Sequence, residues 1–390
     1  MRSTNADTAS TFEKTLQGDP TDLEAGLPLS MKRHDSIQIL RAIAALLVVY
    51  VHSLFVVSGH AVSRQSHFFN LTNFGACGVD IFFTISGFIL STVAMSVRPT
   101  HPSLPHGAID FLLRRFIRIF PIYWILSFFF VLIQWKLHHL TTAWLLNSYL
   151  LLPSLRFPMP PPLIFIGWTL IFEMFFYYTL TLNLFFGAAR VVERTILTIL
   201  AFIVVGGLLG FHQPVLILVA NPLNIEFIFG CLIGLAYARF GKRHALGTVL
   251  LATGSLWLLS TLFFGDYNLG DARYVLNGAL SWYRIFLWGI PAAMITAGLV
   301  FRFTQITSPI GRLGVFLGDA SYSIYLVTLL VFYGYDRLYP HLARLGPDTN
   351  VVLAFLSVAL IGPLCYLYVE RPVTRLLTAK YHRPAVQSAP

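Results

Sequence analysis

Residues 37–57 read IQILRAIAALLVVYVHSLFVV. A helix needs about 20 mainly apolar residues to cross roughly 30 Å of hydrocarbon. This stretch supplies them while carrying one fixed charge, Arg41, and one histidine, His52. Similar runs recur as far as residue 369, each bounded by charges, Pro or Gly. Hydrophobic residues make up 56% of the chain and charged residues 11%, with a mean hydropathy of +0.71, which excludes a water-soluble surface.

The expected fold is all-α: an integral membrane protein of about ten transmembrane helices, at 37–57, 77–97, 117–137, 164–187, 194–211, 215–238, 245–264, 282–301, 316–335 and 350–369. Residues 141–152 (TTAWLLNSYLLL) are too short to span, so they lie at the interface or re-enter. PMPPPL at 158–163 then forces an extended run into the fourth helix. Residues 1–36 mix both signs of charge with Gly, Pro, Ser and Thr and lack the pattern of a signal peptide, so they read as a disordered cytosolic tail. The membrane domain is expected over 37–375, with a short cytosolic tail at 376–390.

Of the 27 Lys and Arg, setting aside Arg2 and Lys14 leaves 25; 18 fall on the side of the N-terminus and 7 on the other. That bias places both termini in the cytosol. It also accounts for the net charge of +10 without nucleic acid, since the basic residues are scattered between apolar spans rather than gathered on one face. Cys77, Cys231 and Cys365 sit in apolar contexts with no metal-ligand spacing and read as small core hydrophobes; no metal is indicated.

An ionisable side chain inside a span is costly, about 2.5 to 3.5 kcal/mol at the bilayer centre even on insertion scales. Of the 12 histidines, only His52 lies well inside a helix. Arg41 precedes it by eleven residues, about 1100° of rotation and a rise of about 16 Å, so both share one face. An imidazole there is a candidate general base or nucleophile, against the plainer reading of a hydrogen-bonded core residue beside a snorkelling arginine. Asp80, Glu173 and Glu226 fall in the first turns of three spans and are expected at the depth of His52, either sharing a polar pocket with it or each serving helix packing. Arg115 and Arg118, one turn apart at the start of the third helix with Arg114 beside them, suit a phosphate-bearing ligand, though anionic lipid headgroups would draw the same residues.

Seven stretches in this order resemble the membrane-bound acyltransferase 3 family, and within it the exopolysaccharide-production branch known from rhizobia: IQILRAIAALLVVYVHS, GVDIFFTISGFIL, RRFIRIFPIYW, GWTLIFEMFFYY, LNIEFIFG, GDASYSIYL and VERP. The similarity covers about residues 37–375. It implies a multi-pass enzyme of the bacterial inner membrane that takes acyl-CoA, acetyl-CoA first among donors, and acylates a sugar hydroxyl on a surface or secreted glycan, with no bound cofactor. It further implies a carbohydrate acceptor, free or lipid-linked, and polysaccharide-assembly proteins as partners. Carried onto matching positions, His52 looks like the catalytic histidine, and Arg41, Arg115 and Arg118 like donor-binding residues. Glu173 falls on the family's acidic position in the fourth helix, and Asp319, Ser321 and Tyr322 on its Ser-Tyr-Ser signature.

Two departures stand out. Many members carry a histidine where this chain has Thr328, and with only a short stretch after Arg375 no fused extracytoplasmic domain is expected. Transfer is therefore expected to finish within the membrane domain or through a partner. The mechanism expected is that CoA phosphates rest on Arg115 and Arg118, with Arg41 at the cytosolic end of the pocket. His52 acts as base on the acceptor hydroxyl, with Glu173 or Asp80 orienting the imidazole. The same buried polar residues also fit a transporter or flippase for a lipid-linked sugar, against which stands the lack of an internal repeat.

Overall fold

The computed structural model describes residues 34–60, 74–97, 104–134, 141–154, 159–263, 269–303 and 305–381. The expected N-terminal tail, apart from His34–Ser36, and residues 382–390 lie outside the described residues. The described part is helical throughout, with no strand. Among the described residues, nine helical spans are each long and apolar enough to cross a membrane. We label them α1 (Asp35–Ser58), α2 (Phe74–Met95), α3 (His106–Ile133), α4 (Phe165–Phe185), α5 (Val191–Leu209), α6 (Pro214–Phe240), α7 (His244–Phe263), α8 (Ser281–Arg302) and, after the broken span, α10 (Pro347–Ala379). Between α8 and α10 lies α9, two helices, Pro309–Asp319 and Ser321–Leu345, that meet at 65° and together make a tenth span. The protein is thus an all-α, multi-pass membrane protein.

Three differences from the sequence reading have local causes. The helix that carries α3 begins at Leu104, so Arg115 and Arg118 lie inside it rather than at its start. The ninth span breaks at Ala320, and its first arm starts at a Ser308 cap, whose hydroxyl accepts from Gly311 N at 3.1 Å, with Pro309 at the first helical position. That arm then lies against the start of α1, where a Cβ at Gly318 would strike the Gln38 backbone. The last helix passes residue 369 and runs on to Tyr381 through a π-helical turn at Tyr366–Glu370.

The segment between α3 and α4 does not cross. Its short helix, Thr142–Tyr149, leans on the middle of α3: Tyr123 Oη donates to Ser148 O at 2.8 Å and Trp124 Nε1 to Tyr149 O at 2.8 Å. Leu163 N then bonds to Ser148 Oγ at 3.0 Å, so the proline run returns to the same level before α4 begins. The centre of the bundle is held by close backbone approach. Gly87 of α2 and Gly230 of α6 face each other so tightly that a Cβ on either would overlap the other helix's backbone, as small residues permit between membrane helices. Cys77 and Cys231 are fully buried in apolar surroundings, as expected of core hydrophobes.

Candidate active site

A cavity of about 190 Å³ opens among α1, α2, α3, α4 and α9. Arg41, Arg115, Arg118 and Glu173 all line it. Arg118 is anchored: its Nη1 donates to Glu370 Oε1 at 2.5 Å, and Glu370, 1% exposed, accepts from Ser323 Oγ at 2.5 Å with its other oxygen. Arg41 donates to the neutral Gln38 Oε1 at 3.0 Å, and Arg115 stacks its guanidinium 5.6 Å from the Phe111 ring centre with Nε buried and unbonded. Among the described residues, then, neither Arg41 nor Arg115 has a carboxylate at ion-pair distance. Ser321, also in the lining, is fully buried with no partner for its hydroxyl, while Tyr322 Oη donates to Ile119 O at 2.9 Å. Forked cations and an unbonded hydroxyl around one hollow are the hydrogen-bond donors that suit an anionic ligand.

Glu173 belongs to this arginine level and not to that of His52. The returning segment sets Gly167 beside Tyr123, and Glu173 lies six residues, about 9 Å, further along α4, opposite the Arg115–Arg118 turn of α3. Its Oε1 accepts from Ser86 Oγ at 2.5 Å. The common depth expected for Glu173 and His52 fails because α4 starts in mid-bundle and not at a membrane face.

His52 itself does not line the cavity. Its Nδ1 is 3.0 Å from Val48 O. A carbonyl only accepts, so Nδ1 carries the proton of the neutral ring and Nε2 keeps a lone pair, the form a general base requires. Neither Glu173 nor Asp80 touches the ring, so the orienting role expected of them is taken by the Val48 carbonyl. At the far end of α1, His60 bonds Asp336 of α9 at 2.5 Å, and both helices run the same way, since Gly318 abuts Gln38 at their beginnings. Eight residues back from that pair, His52 is level with Thr328. Tyr325, a cavity residue, lies about one turn before it. The cavity therefore stops close to the depth of His52.

Asp80 and Glu226 are elsewhere. Asp80 is 0% exposed and takes a forked pair of bonds from Arg284, Nε at 2.9 Å and Nη2 at 2.8 Å. Arg284 also donates to Leu269 O at 2.6 Å and Ala76 O at 3.1 Å and lies 5.1 Å from the Trp288 ring centre. Glu226 is fully buried beside Asp80, against Gly289. Neither Asp80 nor Glu226 lines the cavity, so the single pocket expected for His52 and the three acids divides into separate sites. Asp319 stands at the bend of α9, outside the lining. Thr328 is buried and spends its hydroxyl on Ile324 O at 2.7 Å.

A family model described as an acyltransferase domain matches residues 34–369. The chain belongs to the acyltransferase 3 family. That is the family its motifs pointed to, and the chain is accordingly an enzyme, an acyltransferase. It is 30% identical over 339 residues to the exopolysaccharide production protein ExoZ of Rhizobium meliloti (strain 1021), an alignment that covers 81% of this chain and 94% of the relative. No solved structure matches it.

Sequence reasoning passed over three residues of this acyltransferase that the fold makes central. Glu370 stood in a quoted motif but just beyond the expected tenth span, and its pairing with Arg118 joins residues 252 apart. Arg284 falls at the start of the expected eighth span, 282–301, and was given no role, yet it is 1% exposed. Ser86 is the third: the described hydroxyls of Thr84, Ser91, Thr92 and Ser96 on the same span bond back to their own helix, and Ser86 alone reaches across to Glu173.

Proposed function

We propose that this acyltransferase is an O-acyltransferase of the bacterial inner membrane, both termini cytosolic, that passes an acyl group from acyl-CoA, with acetyl-CoA as donor, to a hydroxyl of a cell-surface or secreted carbohydrate. The similarity to an exopolysaccharide production protein supports the carbohydrate acceptor. The observation that carries the donor is the cavity: three guanidiniums, only one of them ion-paired, at one end of a hollow that stops near the depth of His52. Arg115 and Arg118 hold the CoA phosphates by forked hydrogen bonds, Arg41 and Ser321 complete the binding surface, and the thioester lies toward Tyr325.

His52 Nε2 removes the proton from the acceptor hydroxyl as its oxygen attacks the thioester carbonyl. The C–S bond breaks, and the proton on the imidazole goes to the departing CoA thiolate. Val48 O holds the ring in the required tautomer throughout. Glu173, held by Ser86, balances the positive charge at the donor end.

The test is acyl transfer by the purified protein from acetyl-CoA to glycan taken from a deletion strain, with O-acyl groups read by NMR. His52→Gln should lower transfer by about 100-fold or more, the scale of a lost general base. Acetyl-CoA binding should be retained, because the arginine end lies about 16 Å away along the helix. Near-normal transfer by His52→Gln would refute the mechanism.

A further inference from the structure

The cavity is unevenly charged along its length. The contact of Ser86 with Glu173, and of Phe83 with Trp168 and Phe172, shows that α2 and α4 run parallel through it. Toward the beginnings of these spans the lining is Val79, Phe82, Phe83, Thr169 and Leu170, joined by Tyr325 of α9. None of them is charged. Phe82 and Tyr325 meet edge to face, ring centres 6.2 Å apart. The two hydroxyls at this end are already occupied: Tyr325 Oη donates to Ile166 O at 2.7 Å and lies 2.8 Å from Thr169 Oγ1. The nearest cation, Arg284, lies 6.0 Å from the Trp168 ring centre but is fully engaged by Asp80, so a carboxylate carried here would find neither an unpaired cation nor a free donor, and burying one unpaired is costly.

This is also the end of the cavity that approaches the depth of His52, through Tyr325. A donor anchored by its phosphates at the arginine end presents its acyl group to the opposite one. Resting on the acyl-CoA reading above, we propose that the acyl group lodges at the uncharged end, and that Phe82 and Tyr325 are specificity-determining residues that restrict it to a short, uncharged acyl group. Acetyl fits this description. Succinyl, with a terminal carboxylate, and long acyl chains do not.

Isothermal calorimetry on the purified full-length protein, with CoA, acetyl-CoA, hexanoyl-CoA and succinyl-CoA as probes, tests this without knowledge of the acceptor. Acetyl-CoA should bind at least as tightly as CoA, and hexanoyl-CoA and succinyl-CoA about 10-fold or more weakly than acetyl-CoA. Phe82→Ala should bring hexanoyl-CoA close to acetyl-CoA while succinyl-CoA stays weak, because space is gained and no cation is. Phe82→Leu, the milder change, should move hexanoyl-CoA the same way by less. Tyr325→Leu, which removes the facing ring, should likewise raise hexanoyl-CoA toward acetyl-CoA while succinyl-CoA stays weak. If the wild type binds all three acyl-CoAs alike, or if folded Phe82 variants that still bind CoA discriminate against hexanoyl-CoA as before, the specificity assignment is wrong and the donor reading stands. If no CoA compound binds, the donor reading itself falls and takes this one with it.

Discussion

Replacing Asp80 with Asn tests whether its carboxylate holds helices or handles substrate. The pair it forms with Arg284 is 0% and 1% exposed, so the substitution strands a guanidinium away from solvent. Removing one partner of a buried pair costs about 3 to 5 kcal/mol. Here the lower end applies, about 3 kcal/mol, because Arg284 keeps its bonds to Ala76 O and Leu269 O and its place over Trp288. Glu226, buried beside Asp80, is the one carboxyl near enough to take over part of the charge. Asp80→Asn with Glu226→Gln should therefore lose more than the sum of the two single changes. Replacing both ends of the pair, Asp80→Leu with Arg284→Met, should recover most of the loss, since no charge then remains to be buried. The assay is the unfolding midpoint in detergent, read alongside acyl transfer per folded molecule. A stable Asp80→Asn protein that had lost transfer would refute this reasoning and return Asp80 to the substrate.

Three further outcomes are expected. Arg115→Ala and Arg118→Ala should each weaken acetyl-CoA binding, with Lys rescuing only in part because it lacks the fork; Glu370→Gln should also weaken it, since Arg118 loses its anchor, and unchanged affinity in all of these would leave the arginines as topology signals. His34, buried at the start of α1 against Phe88 and Tyr237, is held down to about 4 by loss of solvent and by Lys242. Its contribution to stability is complete above the unfolded value of 6.5 and is lost as pH falls from there toward 4, a change on the order of 3 kcal/mol, so the acid slope of the unfolding midpoint should flatten in His34→Phe. Reporters fused after residue 380 should be active in the cytosol and silent in the periplasm, following the 18 to 7 bias of Lys and Arg, and the reverse would invert the side from which donor enters.

The spans were legible because lipid imposes one strong rule, a long apolar run, and the chain obeys it almost everywhere. What the rule cannot register is where a span stops short or bends. The bend at Ala320 lies inside an apolar window, and the packing of Gly318 on α1 that accompanies it is tertiary. The depth of Glu173 depends on Tyr123 and Trp124 holding a non-crossing segment in mid-bundle, which no count of residues along α4 alone reveals. Arg41 and the Arg115–Arg118 pair were each legible as charges against hydrocarbon, and the family resemblance grouped them at one end of the pocket. Glu370, the partner of Arg118, was not legible, because pairing across 252 residues leaves no trace in local pattern.

The two charged anchors missed in the sequence share one local feature. Arg284 immediately precedes a π-helical turn, Ile285–Gly289, and Glu370 closes another, Tyr366–Glu370. A π turn takes in an extra residue and so rotates the side chains that follow it, an uncommon arrangement that recurs at functional sites. In α10 the turn ends where Glu370 must meet both Arg118 and Ser323, bonds that α-helical geometry continued from Cys365 would aim elsewhere. In α8 it brings Gly289 against Glu226, where a Cβ would collide with the carboxyl. Helix irregularity and buried charge thus occur together at both places. Each distorted turn lies beside an ion pair that ties two distant spans, and one of those pairs fixes an arginine of the cavity.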